Sequence, residues 1–227
     1  MNVVVMLALI CGAYLVGSIP TGYWLVKAVK GIDIRKFGSG STGATNVWRC
    51  VGRGAGISVF AIDLLKGILP VVIAIQSEAA LALPGPLGLF PVLMAAAALV
   101  GHSRSIFLGF QGGKSAATGL GTLLALNPFV GIYTFSTWLV VVLIGRIVSV
   151  ASILAVFSCI FYMALLKAPM PYVAYCVAGF VYVTSRHKDN IKRLLNGTEP
   201  RIGQKSASTG KGSEDDGQKA DNLKHQI

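Results

Sequence analysis

The sequence predicts an all-α integral membrane protein, and three observations carry the prediction. Of 227 residues, 54% are apolar and 13% charged, a balance shifted well away from that of soluble domains. Apolar runs recur at 1–26, 54–75, 87–100, 116–126, 129–144, 147–166 and 170–184, all uncharged except 54–75, which holds Asp63 and Lys66. The net charge of +11 collects between those runs, because the tail 204–227 sets four Lys against four acidic residues and adds nothing net.

The first run has no Lys or Arg ahead of it and no small-x-small cleavage site, and Lys27, Lys30, Arg35 and Lys36 follow it. A cleaved signal peptide carries its positive charge in front. The run is therefore expected to be a retained first helix with its N-terminus outside and residues 28–53 in the cytoplasm. Runs 54–75 and 147–166 approach the ~20 residues a spanning helix needs; 116–126 is about half that, and 129–144 and 170–184 are also short. The expected count is seven transmembrane helices, some short, with a cytoplasmic C-terminus. Five crossings, with the pair around Asn127-Pro128 forming a re-entrant hairpin, is the alternative.

Seven crossings place Arg104, Lys114, Arg146, Arg186, Lys188, Lys192 and Arg193 inside, and the outside loop around Glu78 and Pro84 has no Lys or Arg; only Lys167 falls on the wrong side. Two regions result: a membrane-embedded domain over 1–203 and a polar cytoplasmic tail over 204–227, whose Ser, Gly, Lys, Asp and Gln cannot bury a core. Cys11, Cys50, Cys159 and Cys176 show no C-x-x-C spacing, so neither a disulfide framework nor a metal site is expected.

Three polar, Gly- or base-rich stretches are not explained by spanning a bilayer: 38–49 (GSGSTGATNVWR), 101–119 (GHSRSIFLGFQGGKSAATG) and 185–197 (SRHKDNIKRLLNG). Gly38 to Gly43 spells G-x-G-x-x-G but follows a membrane helix rather than a β-strand, which excludes the dinucleotide reading. GGKS resembles the end of a phosphate-binding P-loop, yet Leu108 stands where that pattern needs its first Gly. The physics beneath the patterns survives. Gly112, Gly113, Lys114, Ser115 and Thr118 read as a phosphate cradle at the start of a short helix, where amide groups and the helix dipole favour an anion. Tight helix packing with a snorkelling lysine is the competing account of the same residues.

In the first stretch Ser39, Ser41, Thr42, Thr45, Asn46 and Arg49 concentrate hydroxyl, amide and guanidinium donors suited to phosphate. A basic linker drawn to anionic lipid, at about 1 kcal/mol per cation, explains Lys27, Lys30, Arg35 and Lys36 better than it explains Asn46. In the third, His187 and Asn190 at i and i+3 share a helix face and could orient a polar substrate or move a proton; a plain juxtamembrane basic helix is the alternative. His102 is expected to act as a cap or hydrogen-bond partner after a helix end. Asp63 and Lys66, also at i and i+3, are expected to pair within the membrane.

In this order and topology, the three stretches (extended to GHSRSIFLGFQGGKSAATGLG and SRHKDNIKRLLNGTEP) resemble the signature motifs of the acyl-phosphate:glycerol-3-phosphate acyltransferases, the PlsY family, over residues 1–200. The resemblance implies a seven-helix bacterial inner-membrane enzyme with its active site on the cytoplasmic side. Its reaction moves an acyl group from acyl phosphate, not acyl-CoA, to the sn-1 hydroxyl of glycerol 3-phosphate, giving lysophosphatidic acid and phosphate. It implies phosphate-binding roles for Ser39 and Arg49, and catalytic roles for Lys114, His187 and Asn190; Ser41 departs from the Asn that many members carry. No cofactor, metal or nucleic acid is expected; membrane lipid and the enzyme that makes acyl phosphate are the expected partners.

An acyl phosphate already has a good leaving group, so such an enzyme needs positioning and charge stabilisation more than a strong nucleophile. Acyltransferases built on an H-x-x-x-x-D pair are excluded, since Phe107 and Lys192 occupy the Asp position after His102 and His187. A small organic-anion transporter should place ionisable groups at the midplane of broken, repeated helices, whereas these lie at one face. A lipid-binding assembly factor is the third alternative.

Overall fold

A computed structural model describes residues 2–81 and 86–202; the expected loop at Pro84 and the tail 204–227 lie outside them. The described residues form ten α-helices: α1 (Asn2–Ser18), α2 (Thr21–Lys30), α3 (Ala44–Cys50), α4 (Arg53–Leu81), α5 (Leu89–Ser103), α6 (Ala116–Leu126), α7 (Pro128–Gly145), α8 (Val148–Leu165), α9 (Met170–Arg186) and α10 (Lys188–Leu195). No β-strand occurs among the described residues.

Among the described residues, four stretches are long and apolar enough to cross a membrane: Val3–Lys30, Arg53–Glu78, Pro128–Gly145 and Val148–Leu165. Leu89–Ser103 and Ala116–Leu126 are apolar but shorter. The outward faces of α7 and α8 leave Phe129, Leu143, Ile144, Phe157 and Phe161 exposed. Hydrocarbon covers such a surface at no cost, because the backbone groups behind it are satisfied within each helix.

The first run, expected as a single helix, is two. Pro20 has no amide hydrogen and pushes Ile19 out of the helical region, so α1 ends at Ser18 and α2 starts at Thr21. Inside α4, Pro70 likewise removes the hydrogen bond to the Lys66 carbonyl. At the other weak point Asn127 is extended (φ −153°, ψ 105°), and its side chain accepts from the amides of Phe129 and Val130 while Pro128 opens α7. That is a helix start written in sequence: an amide cap followed by a residue whose missing N–H has no partner to lose.

Close helix pairing follows from small residues. A Cβ added at Gly67 of α4 would lie 2.2 Å from the Thr118 carbonyl oxygen, and one at Gly121 of α6 2.1 Å from that of Leu64. α1 and α5 meet in the same way through Gly17 and Gly101. The central core joins α4 to α9 through Val71, Ala95, Leu123, Val130, Met163 and Tyr175, whose hydroxyl lies 2.6 Å from Thr122 Oγ1. A separate cluster of Val26, Ile34, Val47 and Val59 packs α2, α3 and the 31–43 loop onto the start of α4. This second core holds the polar loops against the helices.

Candidate functional site

Each polar stretch is shaped by local rules before the three meet. In the first, Gly38 (φ 58°) and Gly40 (φ 70°) take the left-handed backbone that other residues resist. Asn46, only 2% exposed, sits inside the resulting loop. Its Oδ1 accepts from the Ser39 amide at 2.9 Å, and its Nδ2 donates to the carbonyls of Phe37 at 3.0 Å and Ser41 at 2.9 Å. Ser41 Oγ accepts from the Gly43 amide at 3.2 Å. Both side chains therefore build the loop, while Ser39 and Thr45 stand exposed at its rim.

The second stretch runs from the end of α5 to the start of α6. His102 lies within the last turn of α5 rather than beyond it, so the expected capping position shifts into the helix. A Cβ on Gly112 would meet the His102 carbonyl oxygen at 2.2 Å, and one on Gly113 would meet His102 Nε2 at 2.1 Å; no other residue type fits there. Ser115 adopts φ 61° ahead of α6, and its buried hydroxyl donates to the Leu99 carbonyl at 2.8 Å. That bond offsets the cost of a left-handed serine and fixes where α6 begins. The first amides of α6, which have no partner within the helix, therefore follow directly on Lys114. Thr118 is fully buried with no hydrogen-bond partner for its hydroxyl.

The third stretch brings the others together. Lys114 Nζ donates to Asn190 Oδ1 at 2.5 Å, and Asn190 Nδ2 donates to Glu199 Oε1 at 2.6 Å. Glu199 also accepts from Ser149 Oγ at 2.7 Å and from Arg193 Nε at 2.8 Å. Arg49 reaches the Pro200 carbonyl at 3.4 Å and lies in the fields of Glu199 and Arg193. Arg186 reaches over the loop to the carbonyls of Ser103 and Gly113 at 3.4 and 3.5 Å. Arg49, Lys114 and Arg193 thus gather around Glu199, while Arg186 lies over the glycine loop. An arrangement so rich in cations favours a phosphate-bearing ligand.

Electrostatics sharpen that reading. Burial pulls the Lys114 ammonium down to about 8, with repulsion from Arg193 adding to it and Glu199 opposing. Burial lowers Arg49 as well, but from so high a starting value that it keeps its charge. For Glu199, burial alone would raise the carboxyl; hydrogen bonds from Asn190, Ser149 and Arg193 outweigh it and leave it below its ordinary value. His187 is 3% exposed and lowered to about 4, chiefly by burial. Its Nδ1 lies 2.7 Å from the Val183 carbonyl, so that nitrogen carries the proton of the neutral ring and Nε2 is the acceptor. Among the described residues no group of three His, Cys, Asp or Glu is arranged to hold a metal.

Sequence reasoning named Lys114, Asn190, His187 and Arg49, which the structure gathers, and Ser39 and Thr45, which it leaves at the rim. It missed Glu199 and Ser149. One signal for Glu199 was available: it is one of five acidic residues ahead of the tail, in a chain of net charge +11. Ser149, in the first turn of α8, carries no local sequence signal.

Residues 7–197 match the family described as glycerol-3-phosphate acyltransferase. Glycerol-3-phosphate acyltransferases of Trichormus variabilis and Thermosynechococcus vestitus are each 49% identical to this chain, over 210 and 201 residues; both alignments cover 87% of this chain, and 92% and 94% of the relatives. Two crystal structures of PlsY (YgiH), an integral membrane glycerol 3-phosphate acyltransferase, are similar. The glycerol 3-phosphate form gives a TM-score of 0.81 at 38% identity, covering 87% of this chain and 96% of that one. The lysophosphatidic acid form gives 0.77 at 36% identity, covering 87% and 95%.

Proposed function

This chain belongs to the glycerol-3-phosphate acyltransferase family and is an acyltransferase, and on that premise we propose that its donor is acyl phosphate and its acceptor the sn-1 hydroxyl of glycerol 3-phosphate. The observation that carries the proposal is the convergence of Lys114, Asn190, Arg49 and Arg193 from three separate stretches, with the acceptor nitrogen of His187 beside them. Acyl phosphate and glycerol 3-phosphate each bring a phosphate, and a cluster of several cations supports a site that holds both.

In the proposed reaction the sn-1 oxygen attacks the acyl carbonyl carbon, forming the ester C–O bond. The bond from that carbon to the phosphate oxygen breaks and its electron pair leaves with inorganic phosphate. Lys114 and Arg49 hold the phosphates and stabilise the charge growing on the leaving oxygen. Asn190, bonded to both Lys114 and Glu199, orients the lysine. An imidazole at about 4 is a weak base at neutral pH, which favours a substrate phosphate as proton acceptor, with His187 Nε2 aligning the hydroxyl. The acyl chain lies between helices, open to lipid. Ser39 and Thr45, exposed on the first loop, supply further hydroxyls for phosphate.

The chain is proposed to make seven crossings from an outside N-terminus, in the inner membrane of a bacterium, with this site facing the cytoplasm. All three stretches then share one aqueous face.

The test is phosphate release and lysophosphatidic acid formation by purified protein given palmitoyl phosphate, with and without glycerol 3-phosphate, and separately palmitoyl-CoA. Product from the acyl phosphate only, dependent on glycerol 3-phosphate, is the expected result. Product from the CoA donor alone overturns the donor assignment, and none from either overturns the substrate assignment.

A further inference from the structure

Behind the glycine loop lies a second set of ionisable groups that the proposed chemistry does not use. Asp63 and Lys66 of α4 are 2% and 4% exposed, and their charged atoms lie 2.8 Å apart. Lys66 Nζ also donates to the Ile19 carbonyl, at the break between α1 and α2, at 2.8 Å. His102 Nδ1 faces Asp63 Oδ1 at 3.7 Å and has no hydrogen-bond partner of its own. A narrow polar crevice runs past these groups to Thr21, Thr42 and Gly112.

A buried pair of this kind gives little net stability and persists where it fixes a geometry. Here it is linked to both polar loops through one intermediary each, His102 on one side and the α1–α2 break on the other. On one side the His102 ring and carbonyl press on Gly113 and Gly112, and the Gly113 amide donates to that carbonyl at 3.2 Å. On the other, Gly22 at the start of α2 packs on the Thr42 carbonyl of the first stretch; a Cβ there would sit 1.9 Å from it. Ser105 Oγ ties the end of α5 to the Ser18 carbonyl at 2.5 Å. α4, which anchors the cluster, is also the helix that meets α6 through Gly67 and Gly121.

We propose that Asp63, Lys66 and His102 are positioning residues: Lys66 pins the α1–α2 break, Asp63 pairs Lys66 and faces the His102 ring, and His102 sets the Gly112-Gly113 backbone that carries Lys114 to its phosphate. The cluster acts through the loop and touches no substrate. The proposal rests on the acyltransferase reading above.

Single neutralisation of Asp63 or Lys66 leaves an unpaired buried charge and threatens folding, so the informative variants are Asp63→Asn with Lys66→Met together, and His102→Phe, which keeps a ring without its nitrogens. Wild type and variants are compared by melting temperature and by KM and kcat for glycerol 3-phosphate and for palmitoyl phosphate. Expected is a rise of about tenfold or more in KM for one of the two phosphate substrates, accompanied by a fall in kcat as Lys114 loses its alignment. His102→Asn, which returns a polar atom near the Nδ1 position, is expected to recover most of the loss. A purely structural cluster would lower the melting temperature and the active fraction without moving KM. Folded variants with unchanged KM for both substrates, alongside an active wild type, overturn this proposal alone; an inactive wild type overturns the acyltransferase reading and this proposal with it.

Discussion

Replacing Glu199 by Gln isolates the role of the one carboxylate in the cation cluster. The side chain is 5% exposed and accepts three hydrogen bonds: 2.6 Å from Asn190, 2.7 Å from Ser149 and 2.8 Å from Arg193. Gln has the same shape but must present an NH2 group either to Arg193 or to Asn190 and Ser149, setting donor against donor in both orientations. A hydrogen bond to a charged group is worth about 1.5–3 kcal/mol. Because the Arg193 side chain is 33% exposed, water screens part of its lost partner, which keeps the expected destabilisation at about 2–3 kcal/mol. For a chain of this size that lowers the melting temperature by roughly 5–10 °C, read from tryptophan fluorescence in detergent. The sign with pH adds a second check. Glu199's carboxyl is depressed on folding, so its contribution is complete above the unfolded value of about 4.3 and is lost as pH falls through the lower folded value. Wild type and variant should therefore differ most near neutrality and converge in acid. A Glu199→Gln protein melting within about 1 °C of wild type at pH 7 would refute the claim that this carboxylate organises the cluster.

The Lys114 ammonium, brought down to about 8 by burial, predicts that activity at subsaturating glycerol 3-phosphate falls as pH rises through that value; Lys114→Arg should move the fall to higher pH. Lys114→Ala and Arg49→Ala should each reduce kcat/KM by about tenfold or more with little change in melting temperature, since each removes a charge aimed at phosphate. Asn46→Leu, which strips the bonds to Ser39, Phe37 and Ser41, should lower the melting temperature and activity together, while Ser39→Ala at the exposed rim should lower activity alone. Gly121→Val should abolish folded protein in size-exclusion chromatography, because its added carbons meet the Leu64 backbone at about 2.1 Å.

The membrane character of the chain was legible because it is written in composition, and the three polar stretches were legible because nothing about spanning lipid requires them. Helix boundaries followed local chemistry where that chemistry was strong: the 116–126 run coincides with α6, and Asn127-Pro128 begins α7. The Ile19-Pro20 break was equally available from Pro20, but apolarity on both sides of it hid the interruption. Within the loops, residue type did not reveal which way a side chain faces. Asn46 and Ser115 carry the groups expected to meet a ligand, and the structure turns both toward backbone carbonyls. A loop that must hold several amides in one conformation needs internal polar partners as much as external ones, and the two uses look alike in sequence. The pairing of Glu199 with Ser149 could be found only in three dimensions, because 50 residues separate them.

The placement of the proton follows from the same division between groups that shape the site and groups that meet the substrate. A base positioned for attack at neutral pH would be kept near 7 by a carboxylate beside its ring. Burial, helped by the Lys114 cation, instead holds His187 near 4, although the Val183 carbonyl on its Nδ1 works the other way. The carboxylate that acts on it, Glu199, is occupied by Asn190, Ser149 and Arg193. The surroundings thus preserve a neutral imidazole with Nε2 as its acceptor, and in the proposed reaction proton transfer falls to a group that arrives with the substrates. A phosphate dianion, whose second pKa lies near 6, suits that task, and its charge is the one this cluster of cations is built to attract.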